Sequence, residues 1–149
     1  MGKNQSDDFP EDNPARHGQR VVLFDKGDYA ARDGDGLALR TPDLDSLEAR
    51  FQLFAPFVAK EVARGRPMDA WRFWTGTVVP TLIAVLRLHH APERADFGSR
   101  YLHEDLPAGE ADRLALLVYV SDYRKLPAAV EEATAWFNAT VEVLRSSES

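Results

Sequence analysis

Met68-Asp-Ala-Trp71-Arg-Phe-Trp74-Thr-Gly76-Thr-Val78-Val-Pro80-Thr-Leu82-Ile83-Ala-Val85-Leu86-Arg-Leu88-His89-His90 is the stretch on which the fold turns. Apolar residues return at 71, 74, 78, 82 and 85/86, the period of one helix face. Val79, Ile83 and Leu88 fall beside that stripe, so the helix is apolar around more than half its girth. Such a helix belongs inside a bundle. Asp69, Arg72, Gly76 and Pro80 interrupt the run, which is too broken for the roughly 20 apolar residues of a membrane span. Pro80, close to Gly76, is expected to kink it.

On the N-terminal side, Thr41-Pro42-Asp43 reads as a helix start: Thr as N-cap, Pro at the first helical position, acids in the first turn. Leu44, Leu47, Phe51, Phe54, Val58 and Val62 then form an inward stripe, with Gly65 placed to end the helix and Pro56 to bend it. On the C-terminal side, Pro92 stops the central helix. Residues 89 to 105 are densely polar, punctuated by Phe97 and Tyr101. Pro107 restarts a helix with Glu110 and Asp112 near its positive end. The apolar run 114 to 120 reads as helix rather than strand because of the residues leading into it. Ser121-Asp122 is a loop and a candidate cap. Pro127 opens a last helix with the stripe Val130, Ala133, Phe137, Val141 and Leu144, flanked by Trp136.

These readings predict a mainly α protein. Helices over 43–64, 68–91, 107–120 and 127–146, joined by short connections, make a four-helix up-and-down bundle with proline-kinked members. They belong to one helical domain over 20–146, whose front end, 20–40, holds a short strand or β-hairpin around Val21-Val22-Leu23-Phe24. Residues 1–19 are polar and acidic, with Phe9 the only large apolar side chain, and are expected to be disordered. Asp33-Gly34-Asp35-Gly36 reads as a turn, because it lacks the spaced ligands and closing Glu of a calcium loop. His17 reads as a solvated side chain.

The 149 residues suit one domain, and 44% of them are hydrophobic, enough for a core once the tail is set aside. The formal net charge of -6 argues against a nucleic-acid binder, which wants a basic face. Without cysteine there is no disulfide framework, thiol nucleophile or Cys-based zinc site. Met1 to Gln19 has no apolar stretch of the kind a signal peptide needs. A cytoplasmic protein with no membrane contact is the expectation.

Arg94-Ala-Asp96-Phe97-Gly98-Ser-Arg100-Tyr101-Leu102-His103-Glu-Asp105-Leu106-Pro107, preceded by Leu86-Arg-Leu88-His89-His90, is the most distinctive run. It resembles the C-terminal helical domain of nucleotidyltransferases of the aminoglycoside-adenylyltransferase kind. In those relatives a helix of the type "LLRLRH" leads into "ERxDFGxRYLxxDLP", and a later helix ends in a WF pair, here Trp136-Phe137. Val22-Leu23-Phe24-Asp25-Lys26-Gly27 resembles the end of the family's catalytic domain. Arg50-Phe51 with Ala59-Lys60-Glu61-Val62-Ala63-Arg64-Gly65 resembles its "RFxxxxxxxAKxxxRG" helix. The resemblance covers about residues 20 to 146.

The family's catalytic half holds triphosphate at a Gly-Ser helix start and two metal ions on a D-x-D pair. This chain is expected to lack that half. Gly98-Ser99 with Ser121-Asp122 mimics its order, but Tyr123-Arg124 stands where the second carboxylate belongs. Asp33 and Asp35 have the carboxylate spacing without the helix. The resemblance therefore implies a stand-alone or truncated substrate-side domain with no catalytic residue, no metal site and no cofactor, not an enzyme on its own. It would bind a ligand, a separate nucleotidyltransferase chain or a second copy of itself.

Glu93, Asp96, Arg100, His103 and Asp105 are the candidate ligand-binding residues, because the family's helical domain closes one side of the substrate cleft. Their carboxylates would attract a cationic amino sugar. A solvated inter-helix loop whose Arg and Asp pair with each other is the plainer reading, with Asp96 and Arg100 the pair to watch. His89, His90 and His103 carry metal-ligating chemistry, but adjacent helical residues point about 100° apart, which keeps 89 and 90 off one ion. Trp71, Phe73, Trp74, Phe51, Phe54 and Phe57 read as core packing rather than a pocket. Two rival functions remain: a helical ribonuclease-toxin-like protein partnered with a minimal nucleotidyltransferase, whose Arg and His spacing the last helix lacks, and a pure scaffold.

Overall fold

A carboxylate starts the first helix. Asp43 accepts the Ser46 amide at 3.1 Å and the Ser46 hydroxyl at 2.9 Å, capping α1 (Leu44–Ala63). This corrects the expected start at Thr41 and Pro42: Pro42 precedes the cap, because Asp43 is the acceptor placed to reach the third amide of the first turn. The computed structural model describes residues 42–148. The tail expected over 1–19, the β element expected over 20–40, the Asp33-Gly34-Asp35-Gly36 turn, His17 and Thr41 lie outside the described residues.

Pro56 stands inside α1 and has no N–H for the carbonyl of Gln52. Both residues are on the exposed side, so that carbonyl faces solvent. The helix closes with the Arg66 amide on the Glu61 carbonyl at 2.8 Å and the Gly65 amide on the Val62 carbonyl at 3.0 Å. This is the paired closure that needs a left-handed residue, and Gly65 supplies it at φ 74°.

The central stretch is α2 (Pro67–Phe73), a π-helical turn (Trp74–Val78) and α3 (Val79–His90) in unbroken succession. The Val79 amide bonds back five residues, to the Trp74 carbonyl. Pro80 follows and has no amide for Gly76, so the wider turn sits where the sequence predicts a kink. The extra residue changes which side chains face inward. Ala70, Trp74, Val78, Leu82 and Leu86 are all buried, a step of four each time. At 100° per residue, four such steps overshoot one face by about 160°, and one inserted residue removes roughly 100° of that. Trp71, expected on the inward stripe, is thereby turned out and is half exposed. Val79 and Ile83, expected beside the stripe, are buried.

Three smaller elements follow: a 3-10 turn (Pro92–Arg94), a one-turn helix α4 (Leu102–Asp105), and α5 (Ala108–Val118). A second 3-10 turn (Tyr123–Lys125), capped by Asp122, leads into α6 (Leu126–Glu148). The four long stretches run up and down. Phe51 stacks on Phe137 at 4.1 Å, while Arg145 reaches Asp45 at 2.7 Å and Glu48 at 2.6 Å, so α6 lies antiparallel to α1. Arg113 lies 3.9 Å from the Trp136 ring and 3.6 Å from Glu132, which pairs α5 with α6. The chain among the described residues is mainly α, with the core at Phe51, Trp74, Leu82, Leu86 and Phe137. Phe54, Phe57 and Phe73 form a half-buried stack at its edge, 5.3–6.1 Å between centroids. No described helix is long and apolar enough to cross a membrane.

Candidate functional site

Leu82 to Leu88 holds one charge, Arg87, and its side chain is wholly buried. A buried guanidinium must be neutralised and its donors matched, or it costs several kcal/mol. Three acceptors do this. Nε donates to the Gly98 carbonyl at 2.7 Å, one terminal nitrogen to Asp105 Oδ2 at 2.6 Å, and the other to the Arg100 carbonyl. The rigid fork of Arg suits three acceptors spread over a plane, which an ammonium does not.

The acceptors come from a loop shaped to supply them. Gly98 is left-handed at φ 63° and Tyr101 at φ 61°, and these two bends bracket Ser99 and Arg100. Their curvature turns the Gly98 and Arg100 carbonyls toward α3. Asp105, its side chain 8% exposed, also accepts Arg94 on its other oxygen at 2.9 Å. Phe97 packs at the centre: the guanidinium groups of Arg87, Arg94 and Arg100 lie 5.8, 5.7 and 5.0 Å from its ring centroid. Cations over an aromatic face are favourable, more so when desolvated. These residues therefore form an internal clamp on the segment between α3 and α5.

That clamp sets one wall of a groove of about 630 Å³. Val79, Pro80 and Ile83 of α3 line it, beside the π turn. Ala111, Leu114, Ala115 and Val118 of α5 form the far wall, and Gly98, Ser99, Leu102 and His103 the near one. Thr75 and Tyr119 line it as well. The volume lies within the range of small-molecule sites, and the lining is mostly apolar with few polar groups.

The five candidate residues do not converge. His103 lines the groove, exposed, its Nε2 3.9 Å from Glu104. Asp105 points the other way, into the clamp. Arg100 is exposed over Phe97, with Nε on the Phe97 carbonyl at 3.4 Å. Glu93 and Asp96 are exposed, and among the described residues no ion pair or hydrogen bond joins Asp96 to Arg100. An Arg and an Asp of the run do pair with each other, as the plainer reading has it, but they are Arg94 and Asp105, joined by Arg87 from α3, and not the watched pair Asp96 and Arg100.

The histidines separate as well. His90 Nε2 is 3.0 Å from Glu110 Oε1, His89 is exposed, and no cluster of three or more metal-ligating side chains occurs among the described residues. Sequence reasoning missed Arg87 and the π turn. The signals were present: a lone charge inside a buried apolar run, and Gly76 four residues before Pro80. Neither a family model, a curated protein nor a solved structure matches the chain.

Proposed function

We propose that this chain is a helical binding domain resembling the substrate-side half of a nucleotidyltransferase, with no catalytic carboxylate pair of its own. Its binding site is the groove between α3, α4 and α5. One observation carries the reading. The run on which the resemblance rests is folded by Arg87 so that Leu102 and His103 line an apolar trough sized for a small organic ligand.

Val79, Ile83 and Leu114 would take the apolar face of that ligand. Thr75, Ser99, His103 and Tyr119 would supply hydrogen bonds along the rim. Glu104, next to His103, with Glu93 and Asp96 on the same segment, supplies negative charge that draws in a cationic amino sugar. The carboxylates for nucleotidyl transfer would come from another chain. The partner is then a separate nucleotidyltransferase chain or a second copy, in the cytoplasm.

Titration calorimetry with nucleotides and aminoglycosides, with and without magnesium, tests this. An aminoglycoside is expected to bind equally well in both conditions, and more weakly to His103→Ala. No heat with any ligand, or magnesium-dependent adenylyl transfer by the pure chain, would refute it.

A further inference from the structure

The π turn and the proline that follows it leave one main-chain oxygen of the groove without a donor. In an α-helix the Thr75 carbonyl takes the amide of Val79, but here that amide goes to Trp74. At the wider π spacing its donor is residue 80, a proline, which has no N–H. Val78, one residue nearer, lies inside the π turn, whose amides reach back five residues. The hydroxyls close by are committed elsewhere. Thr75 donates its own to the Trp71 carbonyl at 2.9 Å, and Thr81 donates to the Thr77 carbonyl at 2.6 Å. Helix carbonyls point along the axis toward the next turn. The open position therefore lies between Thr75 and Pro80, and both residues line the groove. We propose that the Thr75 carbonyl is the atom by which this groove holds the ammonium group of a primary amine with an apolar body.

Three features select that chemistry. A carbonyl can only accept, and an ammonium has three donors and no acceptor. A helix carbonyl left open is also the negative end of a row of aligned peptide dipoles, here those of α2, and it favours a cation. Finally, no Lys or Arg lines the groove to fill the open position or repel a cation, and no Asp or Glu lines it to take the ammonium instead. A carboxylate or phosphate would meet a bare oxygen with no counter-charge beside it. Val79, Ile83, Leu102 and Leu114 supply apolar contact for the rest of such a ligand.

The inference rests on the groove reading above and names the atom that grips the amine. The probes are cyclohexylammonium chloride and cyclohexanol, which share a ring and differ in the head group. Carbon-13 NMR of the full chain, titrated with each, is expected to show the Thr75 carbonyl among the most shifted by the amine. The amine is expected to bind about 10-fold tighter than the alcohol, the difference between a charge-assisted and a neutral hydrogen bond. Pro80→Ala supplies an N–H five residues after Thr75, the spacing that Val79 already uses on Trp74. It is expected to bring the two probes to near parity. Both probes lose the same contact with the proline ring, so their ratio isolates the carbonyl. Circular dichroism checks that the variant folds, and its melting temperature is expected to rise, because proline is the poorest residue inside a helix. Pro56→Ala, at the proline inside α1, is expected to leave the ratio unchanged.

A Thr75 carbonyl that does not respond overturns the inference. So does cyclohexanol binding as tightly as the amine, or a preference that survives Pro80→Ala. Aminoglycoside binding without a Thr75 response leaves the groove reading standing and removes this one. A Thr75 response to cyclohexylammonium with no aminoglycoside binding keeps the carbonyl as the amine's acceptor and removes the amino sugar.

Discussion

Replacing Arg87 by Met keeps the length and apolar stem of the side chain and removes its three donors. Asp105 then loses its buried partner, and the Gly98 and Arg100 carbonyls lose their donors. Deleting one member of a buried ion pair costs about 3–5 kcal/mol. Arg94 still holds the other oxygen of Asp105 from a part-exposed position, which puts the expected loss near the lower limit, about 3 kcal/mol. Against a total stability of about 5–15 kcal/mol, that is a large fraction. Arg87→Lys keeps the charge but cannot reach three acceptors at once, so an intermediate loss of about 1–2 kcal/mol is expected. The decisive comparison is with the double variant, Arg87→Met with Asp105→Leu. It removes the stranded carboxylate, and swapping an entire buried pair for apolar groups is often neutral. It is expected to regain about 1–2 kcal/mol over Arg87→Met, short of full recovery because the two carbonyls remain without donors. Urea unfolding followed by circular dichroism reads all four proteins, and amide exchange over 98–106 reads the segment itself. If Arg87→Met costs less than about 1 kcal/mol, or if Asp105→Leu adds to it, the clamp does not hold the segment.

Three further outcomes follow from the same structure. Gly98→Ala places a Cβ in open space but at φ 63°, so the loss is backbone strain alone, about 1–2 kcal/mol. Gly109→Ala, inside α5 with equally open surroundings, is expected to stabilise by about 0.5–1 kcal/mol in the same melts; equal effects at the two sites would contradict the left-handed assignment. Phe137→Ala removes the ring stacked on Phe51 in the sealed core and is expected to cost about 3–5 kcal/mol by urea unfolding, while a cost under about 1 would mean the core is not packed as described. The side-chain and backbone N–H groups of Arg124 hold Asp122 down to about 2 from 3.8. Because the folded value is the lower one, its contribution is present above pH 3.8 and is lost as pH falls through about 2. NMR titration reads that midpoint directly, and Arg124→Ala is expected to return it toward 3.8; a wild-type midpoint already there would contradict the pairing. Because the pair is exposed, the unfolding transition itself should barely change.

Much of this architecture is written in short-range pattern. The apolar stripes of α1 and α6, Gly65 at a helix end, Pro92 as a stop and the helical nature of the run to Val118 all rest on interactions within one or two turns. Such interactions are the same in any fold, so the chain alone determined a bundle of long helices. The errors mark where that locality ends. Asp43 caps α1, two residues beyond the start the sequence suggests. A one-residue π insertion turned Trp71 outward, which no fixed period of 3.6 anticipates.

The candidate site was legible as a place and not as an arrangement. Glu93, Asp96, Arg100, His103 and Asp105 stand out as charge in one run, yet the direction of each depends on what lies across the fold. Asp105 turns inward because Arg87, 18 residues earlier, is buried there and needs a counter-charge. His103 turns to the groove because that clamp fixes the segment beside α3 and α5. Composition and period could place helices and name polar residues. Only the tertiary structure decided which charges meet and which apolar surfaces stay bare, because burial makes an unmatched charge too costly and depends on segments far apart in the chain.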